Sequence, residues 1–257
     1  MKRLLAAFLL IVSLHSIAAN TRGTDATDLW WNANESGWGV NVNHQDDTMF
    51  LTFFVYGTNN QATWYSATLT ASGSGPYIGP LYRTSGPWLG TVFNPFAVGV
   101  TQVGTANFNL DFIENATLSY VVDGTNVVKK LTRQPLKFNL LGGSYTGALR
   151  QVQSGCAIAA NNGTFVVPAT VSISHFNSSL GMTIIANGDR CDYTGQYAQD
   201  GKMGRTINTN SYSCSSGIRG TFNLFEVEGG FSGILGRFSA SNNVCTTVTG
   251  RFGIVRN

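Results

Sequence analysis

An alternation of period two constrains this chain more than any other feature. Phe108, Leu110 and Phe112 alternate with Asn107, Asn109 and Asp111, and Leu118, Tyr120 and Val122 alternate with Thr117, Ser119 and Val121. Successive side chains of a strand point to opposite faces, so the pattern reads as strands with one buried face. Runs of this kind are expected at Gly37–His44, Met49–Tyr56, Ala62–Leu69, Tyr77–Arg83, Val98–Val103, Ala106–Phe112, Ala116–Val122 and Val127–Thr132. The second half continues with Ser144–Val152, Phe165–His175, Met182–Ala186, Asp192–Gln199, Arg205–Tyr212, Gly220–Val227, Gly233–Ser239 and Thr246–Val255. Turn residues separate them, among them Asp123-Gly124, Asn162-Gly163 and Asp200-Gly201. Asx-Gly between alternating runs is a hairpin signal.

About eight strands per half with short connections suit two antiparallel up-and-down, calyx-like barrels in an all-β chain. A β-sandwich is the alternative, because connectivity is not written in the strand pattern. All five Trp lie in the first half and all four Cys in the second. That segregation argues for a Trp-rich N-terminal domain over residues 20–134 and a disulfide-containing C-terminal domain over 135–257. The boundary is expected at Arg133-Gln134-Pro135-Leu136-Lys137.

The first nineteen residues belong to neither. Lys2 and Arg3 precede an apolar run from Leu4 to Leu14, and Ser16-Ile17-Ala18 or Ile17-Ala18-Ala19 offers a small-residue cleavage site. Residues 1–19 therefore read as a secretory signal peptide, which places the protein in the periplasm or outside the cell. The apolar run is shorter than the roughly 20 residues of a spanning helix, and no integral membrane segment is expected after cleavage. Loss of Lys2 and Arg3 lowers the formal charge from +3 to +1. Charged residues make up 11% of the chain, against about a quarter in ordinary soluble proteins. So weak a charge excludes nucleic acid as a partner, and so sparse a one excludes a charged coiled coil.

Export makes two disulfides the reading for Cys156, Cys191, Cys214 and Cys245. Zinc competes, but no CxxC spacing is present. In a closed meander all four Cys fall at one end. Cys191 and Cys214 then sit on neighbouring strands, as do Cys156 and Cys245 once the barrel closes. The expected bridges are Cys191–Cys214 and Cys156–Cys245, with the sequential pairing as runner-up.

Asp28-Leu29-Trp30-Trp31-Asn32-Ala33-Asn34-Glu35-Ser36-Gly37-Trp38-Gly39-Val40-Asn41-Val42-Asn43-His44-Gln45, followed by Phe50-Leu51-Thr52-Phe53-Phe54-Val55-Tyr56 and Thr63-Trp64-Tyr65, resembles the WW-N-ESGWG-N-Q…TWYSA pattern of exported, mostly uncharacterised proteobacterial proteins. The stretches Cys191–Tyr197 and Gly220–Glu226 are similar to the Cys-containing β region of the same proteins. The resemblance implies export and one family over most of the mature chain; it implies no activity.

Chemistry-bearing residues are few. Glu35, beside Trp38, is a weak candidate general acid, since a carboxylate near an indole can have a raised pKa. Glycoside hydrolysis would want a second carboxylate, from Asp28, Asp46, Asp47, Asp111 or Glu114. His44 and His175 read as structural, and no GxSxG elbow occurs. Asp189, Asp192 and Asp200 are assigned to turns, and neither a metal nor a cofactor is expected. Trp30-Trp31 and Trp64-Tyr65 must split across the two faces of their strands, so one member of each pair leaves the main core. The expected role is a non-catalytic exported module that binds a carbohydrate or small apolar ligand through Trp30, Trp31, Glu35, Trp38, Asn41, His44, Trp64 and Tyr65. An extracellular hydrolase using Glu35 and a structural envelope-associated protein are the alternatives. Nothing in the sequence specifies an oligomer.

Overall fold

A computed structural model describes residues 23–71 and 75–257. The expected signal peptide and the turn at 72–74 lie outside the described residues. The first eight strands are β1 (Asp28–Trp31), β2 (Gly39–Gln45), β3 (Thr48–Tyr56), β4 (Ala62–Thr70), β5 (Tyr77–Ser85), β6 (Gly99–Leu110), β7 (Asn115–Val122) and β8 (Thr125–Arg133). The second eight are β9 (Gly143–Cys156), β10 (Gly163–Phe176), β11 (Ser179–Ala186), β12 (Asp189–Asp200), β13 (Met203–Cys214), β14 (Arg219–Gly229), β15 (Gly233–Asn242) and β16 (Cys245–Arg256). Each set forms a closed antiparallel barrel in which every strand pairs with its sequence neighbours and the last returns to the first. The two calyx-like units read from the sequence are present, not the sandwich. Closure leaves neither sheet an open edge.

One part of the strand assignment is corrected. The expected strands Val98–Val103 and Ala106–Phe112 are one continuous strand, β6, and the eighth strand is instead β1. Gly104, which looks like a turn residue, lies where β6 and β7 approach closely: a Cβ there would stand 1.8 Å from the Val121 carbonyl oxygen. The β5–β6 register slips opposite it, between Leu81 and Tyr82. Four residues are too few for β1 to show an alternation.

The N-terminal barrel is filled. Trp30, Met49, Leu51, Phe53, Phe108 and Leu118 are among its fully buried side chains. Trp30 packs edge-on against Phe108 at 5.4 Å. Each such side chain contributes roughly 1.5–3 kcal/mol by leaving water. The barrel closes through a short ladder of two pairs, Trp30↔Arg133 and Trp31↔Thr132. The C-terminal barrel closes through a long one, from Cys245↔Cys156 to Arg256↔Tyr145.

Both expected disulfides are formed, Cys156–Cys245 and Cys191–Cys214. Strand register places each pair directly opposite on neighbouring strands, β16 with β9 and β12 with β13. The two bridges lie on opposite sides of the same rim.

The other end of the C-terminal barrel meets the N-terminal one. Arg133, whose side chain is fully enclosed, lies 3.2 Å from Asp28 Oδ2, stacks 4.5 Å from the Trp30 ring and donates to the carbonyls of Ile113 and Asp25. The same Asp28 oxygen accepts from the Lys202 backbone N–H at 2.9 Å, in the β12–β13 turn. Lys202 Nζ reaches Asp25 at 2.7 Å and Arg205 reaches Glu114 at 3.4 Å. Gly201 has φ +62°, and a Cβ there would come within 2.1 Å of Asp28 Oδ2. The turn thus needs glycine for its conformation and for the approach of Asp28. Among the described residues no helix is long and apolar enough to cross a membrane.

Candidate functional site

The eight ligand-binding candidates of the sequence do not converge on one pocket. Trp30 is 0% exposed and sealed between Phe108 and Arg133, so it offers no surface to a ligand. Tyr65 is also buried, facing inward from β4. His44 points inward from β2 with both ring nitrogens engaged. Its Nδ1 accepts from the Ala26 N–H at 3.1 Å, so the proton sits on Nε2, which lies 2.8 Å from both the Asp46 carbonyl oxygen and the Tyr77 hydroxyl. It closes one end of the barrel. Trp31 is half-buried, and Asn41 faces solvent from β2.

Glu35 and Trp38 do meet, in the β1–β2 connection. Trp38 Nε1 donates to Glu35 Oε2 at 3.2 Å, and Lys129 Nζ binds the same oxygen at 2.6 Å while lying 5.6 Å over the Trp38 ring. The hydrogen bond from Lys129 holds the Glu35 pKa below the ordinary glutamate value, the reverse of the upward shift expected for a general acid. An indole raises a carboxyl pKa by excluding water; here it donates a hydrogen bond to an exposed carboxylate, so the sign changes. Three of the candidate second carboxylates are engaged elsewhere: Asp28 with Arg133, Asp111 with Lys130, and Glu114 with Arg205.

Trp64 belongs to a different feature. It is 49% exposed on the outer wall and stands in register with Phe54, 54% exposed, across β3 and β4. Phe50 and Tyr56, 45% and 59% exposed, continue the row along β3. Strand parity splits both aromatic pairs as the sequence requires: Trp30 and Tyr65 face in, Trp64 faces out.

The cavity lies elsewhere, inside the C-terminal barrel, with a volume of about 380 Å³. Its walls are apolar, with Leu149, Val171, Ile184, Phe222, Val248 and Phe252 among them. Tyr193 stacks on Tyr212 at 4.8 Å and meets Phe222 edge-on at 5.1 Å. Burial raises the Tyr193 and Tyr212 pKa values, so both phenols are neutral. The cavity runs from Leu141, beside the N-terminal barrel, to Asn187 and Asp189 at the disulfide rim.

Polarity rises toward that rim. Along β9 the inward positions read Leu149, Gln151 and Gln153, all lining the cavity. The Gln151 side chain has no hydrogen-bond partner among the described residues. Gln153 Oε1 lies 3.6 Å from Cys245 Sγ, a disulfide sulfur with no proton to give. Asn242 is engaged, donating to the Tyr212 hydroxyl and accepting from Val244 and Cys245 N–H groups. Asp189 accepts from the Ser215 hydroxyl and from both the hydroxyl and N–H of Ser216, which keeps its pKa low and its charge in place. No Lys or Arg lines the cavity. Asp189 also lies close to Cys191 and Cys214, but those sulfurs are joined to each other. Asp192, expected in a turn, lies within β12 and pairs with Arg190.

No family model matches the chain, and no curated protein is similar to it.

The sequence held one signal for this cavity, and it is a contrast. Inward positions of the first barrel carry Trp30, Phe53, Tyr65, Tyr77 and Phe108. In the second barrel Tyr193, Tyr212, Phe222 and Phe238 also point inward, but the cavity wall on β9 and β10 carries Leu149, Gln151, Val167 and Val171. Smaller side chains on that side of the ring leave space unfilled.

Proposed function

We propose that the protein is an exported, non-catalytic binding module that holds a small apolar molecule inside the C-terminal barrel. The observation that carries this reading is the difference between the two barrels: Trp30, Phe53, Phe108 and Leu118 are buried inside the first, and the second keeps an apolar interior of about 380 Å³. That volume falls at the small end of ligand sites, which are mostly apolar with a few placed polar groups. The free amides of Gln151 and Gln153 suit a neutral hydrogen-bonding head at the rim. The ionised Asp189, with no cation beside it, disfavours a carboxylate head. Sparse titratable groups and the leader support export and binding over catalysis.

The test is titration of the oxidised protein with neutral N-phenyl-1-naphthylamine. Saturable binding is expected, weakened at least ~10-fold by Ala240→Phe or Ala186→Phe, which fill the cavity. Straight-chain alcohols should displace the probe, each added methylene tightening displacement roughly fourfold (~0.8 kcal/mol per CH₂). The carboxylic acid of equal length should compete less well. Absence of probe binding, or binding indifferent to both fillings, overturns the reading.

A second reading rests on the outer row of Phe50, Phe54, Tyr56 and Trp64. Exposed, rigid aromatics flanked by Asn41, Asn43 and Thr52 suit the faces of sugar rings. Loss of glycan retention in Trp64→Ala, with the interior probe unaffected, would favour it.

A further inference from the structure

Three arginines stand side by side on the outer wall of the C-terminal barrel. Arg237 of β15 is in register with Arg251 of β16, and Arg251 with Arg150 of β9. Their sequence neighbours Phe238, Phe252 and Leu149 line the interior cavity, so parity turns the arginines outward. Neighbouring strands lie about 4.8 Å apart, which brings three guanidinium stems within about 10 Å of sheet.

Like charges directly opposite one another destabilise a sheet, and the row is only partly offset. Arg237 Nη1 lies 3.1 Å from Glu226 Oε1. Arg150 and Arg251 have no hydrogen bond or ion pair among the described residues. The nearby acids are engaged: Glu226 also accepts from Thr24, and Asp25 and Glu228 lie 2.7 and 3.6 Å from Lys202 Nζ. A chain with only 16 Lys and Arg in 257 residues therefore places two uncompensated arginines next to a third.

The row borders a hollow of about 530 Å³. Gly23 and three carboxylates, Asp25, Glu226 and Glu228, also line it, each carboxylate paired with Arg237 or Lys202, and Arg237 donates to the Gly23 carbonyl. Next to the arginines on the same face, Leu235, Gly253 and Ala148 are in register. Two of those three positions carry little or no side chain, so the floor is recessed.

We propose that Arg150, Arg251 and Arg237 bind a phosphate group in this hollow, carried either by free phosphate or pyrophosphate or by a lipid headgroup. A guanidinium is a planar fork that matches two oxygens. A carboxylate satisfies one fork. A tetrahedral phosphate offers enough oxygens to engage adjacent forks, and its two charges offset the two arginines that lack partners. The site is separate from the interior cavity and stands whether or not that cavity binds a ligand.

The test compares thermal unfolding in phosphate, in pyrophosphate and in chloride at matched ionic strength. A saturable rise of roughly 5 °C or more is expected with phosphate or pyrophosphate over chloride. Arg150→Gln/Arg251→Gln should abolish it. Both positions are exposed, so the variant keeps its fold, checked by circular dichroism and by an unchanged unfolding midpoint in chloride. Cosedimentation with vesicles of phosphatidic acid in phosphatidylcholine, against phosphatidylcholine alone, distinguishes the source. Retention on the acidic vesicles without a response to free phosphate assigns the headgroup; the converse assigns the free anion; either sustains the site. No response in either arm, or a double variant that behaves as wild type, overturns it.

Discussion

Removing the two disulfides one at a time should cost the C-terminal barrel unequal amounts of stability. Cys156–Cys245 spans 89 residues and Cys191–Cys214 spans 23. A crosslink restricts the unfolded chain by an entropy that grows with the logarithm of the loop. The relation gives ~4.6 kcal/mol for the long loop and ~3.4 kcal/mol for the short one. Cys156→Ala/Cys245→Ala should therefore destabilise by ~1.2 kcal/mol more than Cys191→Ala/Cys214→Ala. At a urea dependence of ~1.5 kcal/mol per molar, the midpoints fall by ~3 M and ~2 M. The assay is urea unfolding followed by near-ultraviolet circular dichroism, where the stacked Tyr193–Tyr212 pair reports on the second barrel. Tryptophan emission reports on the first, because every Trp lies there. If the short-loop variant is the less stable, or both lose under ~1 kcal/mol, loop entropy is not what the bridges contribute.

Two further outcomes follow from buried groups. Arg133→Ala strands the Asp28 carboxylate, 8% exposed, and should cost ~3–5 kcal/mol in unfolding followed by tryptophan emission; a loss below ~1 kcal/mol would mean that water replaces the guanidinium. Burial raises the folded-state pKa values of Tyr120, Tyr193, Tyr197 and Tyr212, so the unfolded chain ionises first. The stability they confer is complete below about pH 10 and is lost as the pH rises further; ultraviolet titration should show their tyrosinate absorbance appearing together with unfolding, and early, independent ionisation would contradict it.

The architecture was legible because strand parity and turn chemistry are local. Asn107–Asp111 and Thr117–Val122 display their inward and outward sets without reference to any partner, and the disulfide pairing followed from a count of strands around a ring. What escaped was of two kinds. Gly104 and β1 were misread because a close backbone approach and a four-residue strand leave no periodic trace. The aromatic candidates do not gather into one pocket, because aromatic residues mark a filled interior as readily as a binding surface. Trp30 and Tyr65 occupy the interior of the first barrel. The short side chains of Val167 and Val171 on the cavity wall are harder to see in a sequence than a cluster of tryptophans. Glu35 depended on Lys129, 94 positions away, a contact that no local pattern encodes.

The ladder that shuts the first barrel has a consequence for how the molecule opens. Two pairs hold β1 to β8, and Arg133 belongs to one of them. The enclosed ion pair with Asp28 therefore acts as a clasp on a seam too short to hold by backbone pairing alone. Release of that clasp opens the seam and bares one edge each of β1 and β8, while β1 stays paired with β2 through Asp28↔Val42, Leu29↔Asn41 and Trp30↔Val40. An opened seam of this kind offers strand edges to another copy, and one guanidinium holds it shut. The second barrel closes differently, stitched along the whole of β16 and β9 and bolted at Cys245.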